Sequence, residues 1–154
     1  QDDEYSYRVR EMGGKLLLAA DVRSRYFSRG SLKSLWKQYF QYGFYKVRVL
    51  QKHPLQMSFR QFVPPVFVLS LLMALLLTVF LPWGWIVLAL TAGSYLAANL
   101  AASILTASKK GWKHLWLLPV TFAILHLSYG SGFLWGLVKF WNRWGDKIGN
   151  VSHF

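Results

Sequence analysis

The residues of this chain best suited to chemistry are three acids at its start. Asp2, Asp3 and Glu4 open a stretch that can form a short helix as far as Met12, with Arg8 on its next turns. Carboxylates at a helix N-terminus commonly do no more than interact with the positive end of the helix dipole. A carboxylate at the edge of a cleft can instead act as a general base that accepts a proton from a hydroxyl group. On local grounds both interpretations stay open.

The other polar residues that could do chemistry are isolated. His53, His114 and His153 share no metal-ligand spacing with each other or with a pair of carboxylates, so the sequence predicts no metal site. His126 and Asn99 fall in apolar stretches. We expect a helix–helix hydrogen bond from Asn99 and a packing role for His126, with a proton relay or headgroup contact as the alternative for the histidine.

A helix predicted to follow the N-cap residue Ser31 has one apolar, aromatic face and one basic, polar face. The apolar face comprises Leu32, Leu35, Trp36, Tyr39, Phe40, Val47 and Leu50. The polar face comprises Lys33, Lys37, Gln38, Gln41, Lys46 and Arg48. Such a helix lies in a membrane interface or packs on a soluble core. We favour the interface, contacted by Lys33, Trp36, Lys37 and Lys46, and we expect Gly43 to kink or divide the helix.

The charge pattern makes the chain a membrane protein. Residues 61–108 contain no Asp, Glu, Lys or Arg, whereas residues 22–60 contain nine Lys or Arg and no acid. Since one span needs about 20 apolar residues, the uncharged run fits two spans. We predict spans at residues 62–81, 85–106 and 115–138. The net charge of +12 is then suited to anionic lipid and not to nucleic acid.

The orientation follows from the same charges. The basic segment before the first span and the loop Lys109 to Lys113 lie on one side, which the positive-inside rule makes cytoplasmic. Three full spans then place the C-terminus outside, and this is the arrangement we favour. Lys139 and Arg143 after the third span fit it poorly, and a third segment broken or re-entrant around Gly130 would keep the tail inside.

The chain therefore divides into four parts. Residues 1–30 are predicted to be the C-terminal remnant of an α/β domain, with a short strand at residues 15–19 and a second strand or an extended segment at residues 22–27. Residues 31–61 hold the amphipathic interfacial helices. The transmembrane region covers residues 62–140, and residues 141–154 form a tail. The abrupt acidic start leads us to expect that the chain is the interior of a longer protein.

Two motifs carry a resemblance to family 2 glycosyltransferases. Residues 1–10, Gln-Asp-Asp-Glu-Tyr-Ser-Tyr-Arg-Val-Arg, followed by Gly-Gly-Lys, resemble the third acidic motif of that family. Residues 38–42, Gln-Tyr-Phe-Gln-Tyr, resemble its Gln-x-x-Arg-Trp signature. The stretch from Arg23 to Gln61 is similar to bacterial exopolysaccharide enzymes of the succinoglycan-biosynthesis type, which carry C-terminal spans.

The resemblance implies a membrane-bound, inverting hexosyltransferase in the bacterial inner membrane, with a GT-A-type catalytic domain. It implies that Asp2 is the catalytic base and Glu4 the second acid, and that Arg8 is the motif arginine. It further implies that Gln38, Gln41 and Tyr42 contact substrate.

The implied partners are a nucleotide-sugar donor, a polyprenyl-linked or glycan acceptor and the lipid bilayer. A divalent metal, Mg or Mn, is expected to bind outside this chain. Because Gln41 replaces the signature arginine, addition of a single sugar is expected in preference to processive synthesis.

The alternative is a non-enzymatic membrane anchor or scaffold whose basic interfacial helix recruits a partner. It explains the spans and the charges equally well. It does not explain why the two motifs occur in the order of the enzyme family, directly before apolar spans.

Overall fold

The computed structural model describes residues 2–17, 19, 21–23, 25 and 30–145, with residues 2–4 and 56 described by their backbone alone. This part of the chain is helical. Short 3-10 turns, including Phe59–Gln61 and Trp112–His114, join the longer helices. The described residues form five α-helices: α1 (Asp2–Glu11), α2 (Leu32–Lys52), α3 (Val63–Phe80), α4 (Gly84–Lys110) and α5 (Leu118–Lys139).

The strand predicted at residues 15–19 and the one weighed at residues 22–27 are wrong at the positions that the structure describes. No described residue of either segment is in a strand, and the remaining positions lie outside the described residues. Leu17 is 95% exposed, so it belongs to no buried strand. A strand needs a neighbouring strand to satisfy its backbone N–H and C=O groups, and no strand occurs among the described residues.

Helix α2 begins where the sequence predicts. Ser31 has an extended backbone, and its hydroxyl oxygen accepts a hydrogen bond from the backbone N–H of Ser34. This satisfies one of the free donors in the first turn. The helix continues undivided through Gly43, so the expected division at this residue is wrong. Gly43 instead faces α5, where an added Cβ would collide with the carbonyl oxygen of Tyr129.

Helices α3 and α4 form an antiparallel hairpin joined by a tight turn. Phe67 stacks on Tyr95 with ring centroids 4.0 Å apart, and Gly84 packs directly against the backbone of Leu77. Residues farther along α3 thus lie beside residues earlier in α4, as in antiparallel helices. The gap between the first two predicted spans, residues 82–84, falls at this connection.

Three helical segments are long and apolar enough to cross a membrane, namely Phe59–Phe80, Gly84–Lys110 and Leu118–Lys139. They match the predicted spans at residues 62–81, 85–106 and 115–138, with α4 longer at its basic end. The chain is therefore a helical membrane protein. Helix α5 is unbroken through Gly130, so the broken third segment weighed as an alternative is absent.

The most extensive contact between helices joins α2 to α5. Glycines make it close: Gly132 lies against the backbone of Phe40, and Gly136 lies against Phe44 and Val47. Small residues at a helix crossing let the backbones approach, which strengthens packing where lipid supplies no hydrophobic drive. Helix α2 is thereby fixed to the membrane region along most of its length.

Candidate functional site

Helix α1, which carries the acidic motif, is fastened to the C-terminal end of α2. Nδ1 of His53 lies 2.7 Å from Oε1 of Glu11, within hydrogen-bond distance. The His53 side chain is fully buried, whereas that of Glu11 is partly exposed. A buried imidazole that loses its carboxylate partner is left poorly solvated, so the pair holds the two helices together.

A second contact joins α1 to α2 one to two turns earlier. The Lys46 ammonium lies 5.8 Å from the centroid of the Tyr7 ring, in a cation–π arrangement. Lys46 is only 9% exposed. The expectation that Lys46 contacts the membrane interface is therefore wrong, because the structure uses this cation, covered by α1, to hold that helix. Tyr7 also contacts the ring of His53.

The order of these contacts sets the direction of α1. Tyr7 meets Lys46 and Glu11 meets His53, so the partners advance together along both helices. The first turn of α1 therefore points toward the part of α2 that precedes Lys46. The side chains of the proposed catalytic residues, Asp2 and Glu4, lie outside the described residues. Arg8 is exposed on the same helix.

The signature residues on α2 lie on the same side of the helix as the α1 contacts. Nε2 of Gln38 donates a hydrogen bond of 2.8 Å to the hydroxyl oxygen of Tyr42. Residues four apart share a helix face, so Gln38, Tyr42 and Lys46 form one line that ends at His53. Tyr42 is about half exposed, and its ring is available for stacking. Gln41 is exposed on the adjoining surface.

Three of the four predicted membrane-interface residues are exposed near the start of α2. Lys33, Trp36 and Lys37 present two cations and an indole ring to the surroundings of the helix. This mixture of long basic and aromatic side chains suits the boundary between headgroups and acyl chains.

The polar residues inside the helical bundle have structural roles. The side-chain amide of Asn99 donates a 3.0 Å hydrogen bond to the carbonyl oxygen of Pro119, which confirms the predicted helix–helix bond. Nδ1 of His126 lies 2.8 Å from the carbonyl oxygen of Phe122, and its ring packs edge-on against Tyr95. Both observations agree with packing, the role expected of His126.

The described residues include no group of three His, Cys, Asp or Glu side chains that could hold a metal ion. The resemblance places the metal outside this chain, and that expectation stays a prediction.

Sequence reasoning missed the residues that join the two motifs. Glu11 and His53 are 42 residues apart and belong to no pattern, so only folding brings them together. Tyr7 stands inside the acidic motif but had no assigned role. The sequence shows only that His53 directly precedes Pro54 at the end of α2.

No protein-family model matches this chain, and neither a curated protein nor a solved structure matches it.

Proposed function

We propose that this chain supplies the catalytic base and the membrane-facing wall of an inverting family 2 glycosyltransferase. The enzyme moves a hexose from a nucleotide-sugar donor to a lipid-linked or glycan acceptor in bacterial polysaccharide synthesis. The observation that carries the proposal is the docking of α1 on α2 through Glu11 and His53. Together with the contact between Tyr7 and Lys46, it directs the first turn of α1 toward the part of α2 that carries the signature residues Gln38, Gln41 and Tyr42.

The reaction assigns a role to each element. The Asp2 carboxylate takes the proton from the acceptor hydroxyl while that oxygen bonds to the anomeric carbon of the donor sugar. The bond from this carbon to the diphosphate breaks, and the nucleoside diphosphate leaves with the electron pair, so the configuration inverts. Glu4 and Arg8 orient the acidic turn, and Gln38 and Tyr42 bind the acceptor sugar.

The surroundings of α2 support a lipid-linked acceptor. The helix is packed along α5 and carries exposed Lys33 and Lys37. Basic residues near a leaflet gain roughly 1 kcal/mol each from anionic lipid. An acceptor whose diphosphate sits at the headgroups would meet this surface, and the site would face the cytoplasm at the inner membrane.

The proposal is tested in membranes that contain the full-length protein. Radiolabelled UDP-glucose, UDP-galactose and GDP-mannose are supplied separately, and label in the lipid extract is counted. Asp2→Asn should reduce transfer by about 100-fold or more, the usual contribution of a general base.

Asp3→Asn is the matched control, since Asp3 occupies the variable position of the motif, and it should keep most of the activity. Equal activity in both variants would remove Asp2 from the mechanism. If the correctly inserted wild-type protein transfers no sugar from any of the three donors, the scaffold alternative is favoured.

A further inference from the structure

Helix α5 crosses the α3–α4 hairpin instead of running along it. The pairing of Phe67 with Tyr95 and of Leu77 with Gly84 fixes the register of the hairpin. In this register Asn99 on α4 lies level with the first turn of α3, near Phe62. Asn99 and Phe62 therefore lie at the same position along the axis of the hairpin.

Both of these positions contact α5, at points far apart on it. Asn99 donates its hydrogen bond to the carbonyl oxygen of Pro119, whereas the ring of Phe62 packs 5.9 Å from the ring of Phe133. Pro119 and Phe133 are separated by about 21 Å along the helix at 1.5 Å per residue. If α5 were parallel to the hairpin axis, its two contacts would lie that far apart along the axis. Because both contacts lie at the same position along the axis, α5 is steeply inclined to α3 and α4.

The middle of α5 lies across the open end of the hairpin. Phe122 and His126 close one side of a cleft of about 570 Å³ between α3 and α4, which Phe67 and Tyr95 also line. Gly130 then packs on the backbone of Pro64 at the start of α3. Helix α5 thus runs from α4 to α3 at the end of the hairpin that adjoins Arg60.

Helix α2 has the same inclination because it runs parallel to α5. Its contacts advance in step, from Phe40 against Gly132 to Phe44 against Gly136. Farther along, Nε2 of Gln51 donates a 2.8 Å hydrogen bond to the carbonyl oxygen of Phe140. The two helices therefore form a pair that crosses the hairpin together.

The charges and tryptophans agree with this placement. Basic residues lie at both ends of α5 in the sequence, at Lys109 to Lys113 before it, at its last residue Lys139 and at Arg143 after it. The positive-inside rule places both ends on one side of the membrane. Six of the eight tryptophans belong to this pair and its flanks: Trp36, Trp112, Trp116, Trp135, Trp141 and Trp144.

We propose that α5 does not cross the bilayer, and that α2 and α5 lie side by side in the headgroup region on the basic side. The α3–α4 hairpin is then the membrane anchor of the described chain, and the segment after α5 stays on the side of α1. The partner of the pair is an anionic lipid surface, met by exposed Lys33, Trp36 and Lys37 of α2 and by Trp135 and Lys139 of α5. The inference does not depend on the proposed enzymatic activity.

Two reporters fused after Phe154 of the full-length protein test it, since each gives a positive signal on one side only. Green fluorescent protein fluoresces on the cytoplasmic side, and alkaline phosphatase is active on the outer side. We expect fluorescence from the first fusion and no phosphatase activity from the second. Phosphatase activity without fluorescence would show that α5 crosses, and would overturn the proposal.

Single cysteines give an independent measurement, since this chain contains none. In a full-length protein freed of any other cysteine, Asn142→Cys reports on the end of α5, Lys33→Cys on α2 and Pro82→Cys on the α3–α4 turn. An impermeant maleimide should label positions 142 and 33 from the same side of sealed vesicles, and position 82 from the opposite side. Labelling of position 142 together with position 82 would contradict the proposal.

Discussion

The Glu11 carboxylate lies 2.7 Å from the ring Nδ1 of His53, 42 residues farther along the chain. His53 ends α2 and is buried, so this pair fixes the motif helix at the point where the chain turns toward its first span. The acidic motif is thus held at a defined place over the membrane region.

Removing the carboxylate should loosen α1. Glu11→Ala leaves the buried imidazole of His53 without its acceptor, at a cost of about 1–3 kcal/mol. Since 1.4 kcal/mol is a factor of ten, amide exchange in residues 2–11 should accelerate by about tenfold or more. Hydrogen exchange measured by mass spectrometry reports this directly. Arg10→Ala, an exposed change on the same helix, is the control, and identical exchange in the two variants would show that the pair does not fasten α1.

The glycine contacts between α2 and α5 should be intolerant of a single methyl group. In Gly132→Ala the added Cβ would meet the carbonyl oxygen of Phe40, which is backbone and cannot move aside cheaply. Overpacking of this kind costs about 1–3 kcal/mol. The thermal unfolding midpoint in detergent should fall accordingly.

Gly93→Ala is the matched control for that change, because nothing lies within 4 Å of an added Cβ there. Alanine is the better helix former by up to about 1 kcal/mol, so this variant should be as stable as the wild type or more so. A loss of stability in Gly93→Ala equal to that in Gly132→Ala would argue against the close approach of α2 and α5.

The hydrogen bond from Asn99 to Pro119 should contribute measurably to joining the hairpin to α5. Asn99→Leu removes the donor and also the amide oxygen near the Ser103 hydroxyl. Bonds of this kind between membrane helices average about 0.6 kcal/mol and reach about 1.7. Titration with sodium dodecyl sulfate should show earlier unfolding. Ser94→Ala is the control, since it removes a hydrogen bond internal to α4 and should have little effect. If both variants unfold at the same detergent concentration, the bond from Asn99 to Pro119 does not help to join the hairpin to α5.

The proposed acceptor role of Tyr42 predicts different effects for two substitutions. Tyr42→Phe loses the hydrogen bond from Gln38 but keeps a ring that can stack on a sugar. Tyr42→Ala loses both, and since aromatic contacts contribute about 0.5–1.5 kcal/mol, the acceptor KM should rise by up to about tenfold. Tyr45→Ala, an exposed tyrosine outside the motif, is the control. A KM that is unchanged in Tyr42→Ala would exclude the stacking role.

Regular features of the membrane region could be predicted because each follows from a local pattern. Charge depletion located the helices, and Ser31 was identified as an N-cap from its type and position. The hairpin turn at Pro82 and Trp83 follows from residues that cannot continue a helix between two apolar runs. Charge depletion, an N-cap residue and a turn can each be recognised from neighbouring residues alone. The structure accordingly has the helices, the cap and the turn close to their predicted positions.

Features that depend on distant contacts could not be predicted. The pattern of polar residues along α2 led to the prediction that Lys46 contacts the membrane interface. This pattern does not show that Tyr7 of α1 covers the Lys46 side chain. Gly43 was expected to kink or divide α2, because the sequence does not show that it packs against Tyr129 of α5. The strand predicted at residues 15–19 relied on a short apolar run, which does not specify a strand without a partner.

The central claim is that the acidic turn of α1 and the signature residues of α2 belong to one site. The distance between nitroxide labels at Asp3→Cys and Gln41→Cys tests it most directly, in the full-length protein within lipid nanodiscs. The Tyr7–Lys46 contact lies four residues from one label and five from the other. Adjacent helices that pass at 8–10 Å, with the label arms added, predict a narrow distribution centred at about 20 Å. A broad distribution at much longer distances would mean that α1 is not held beside Gln38 and Tyr42, and would contradict the account.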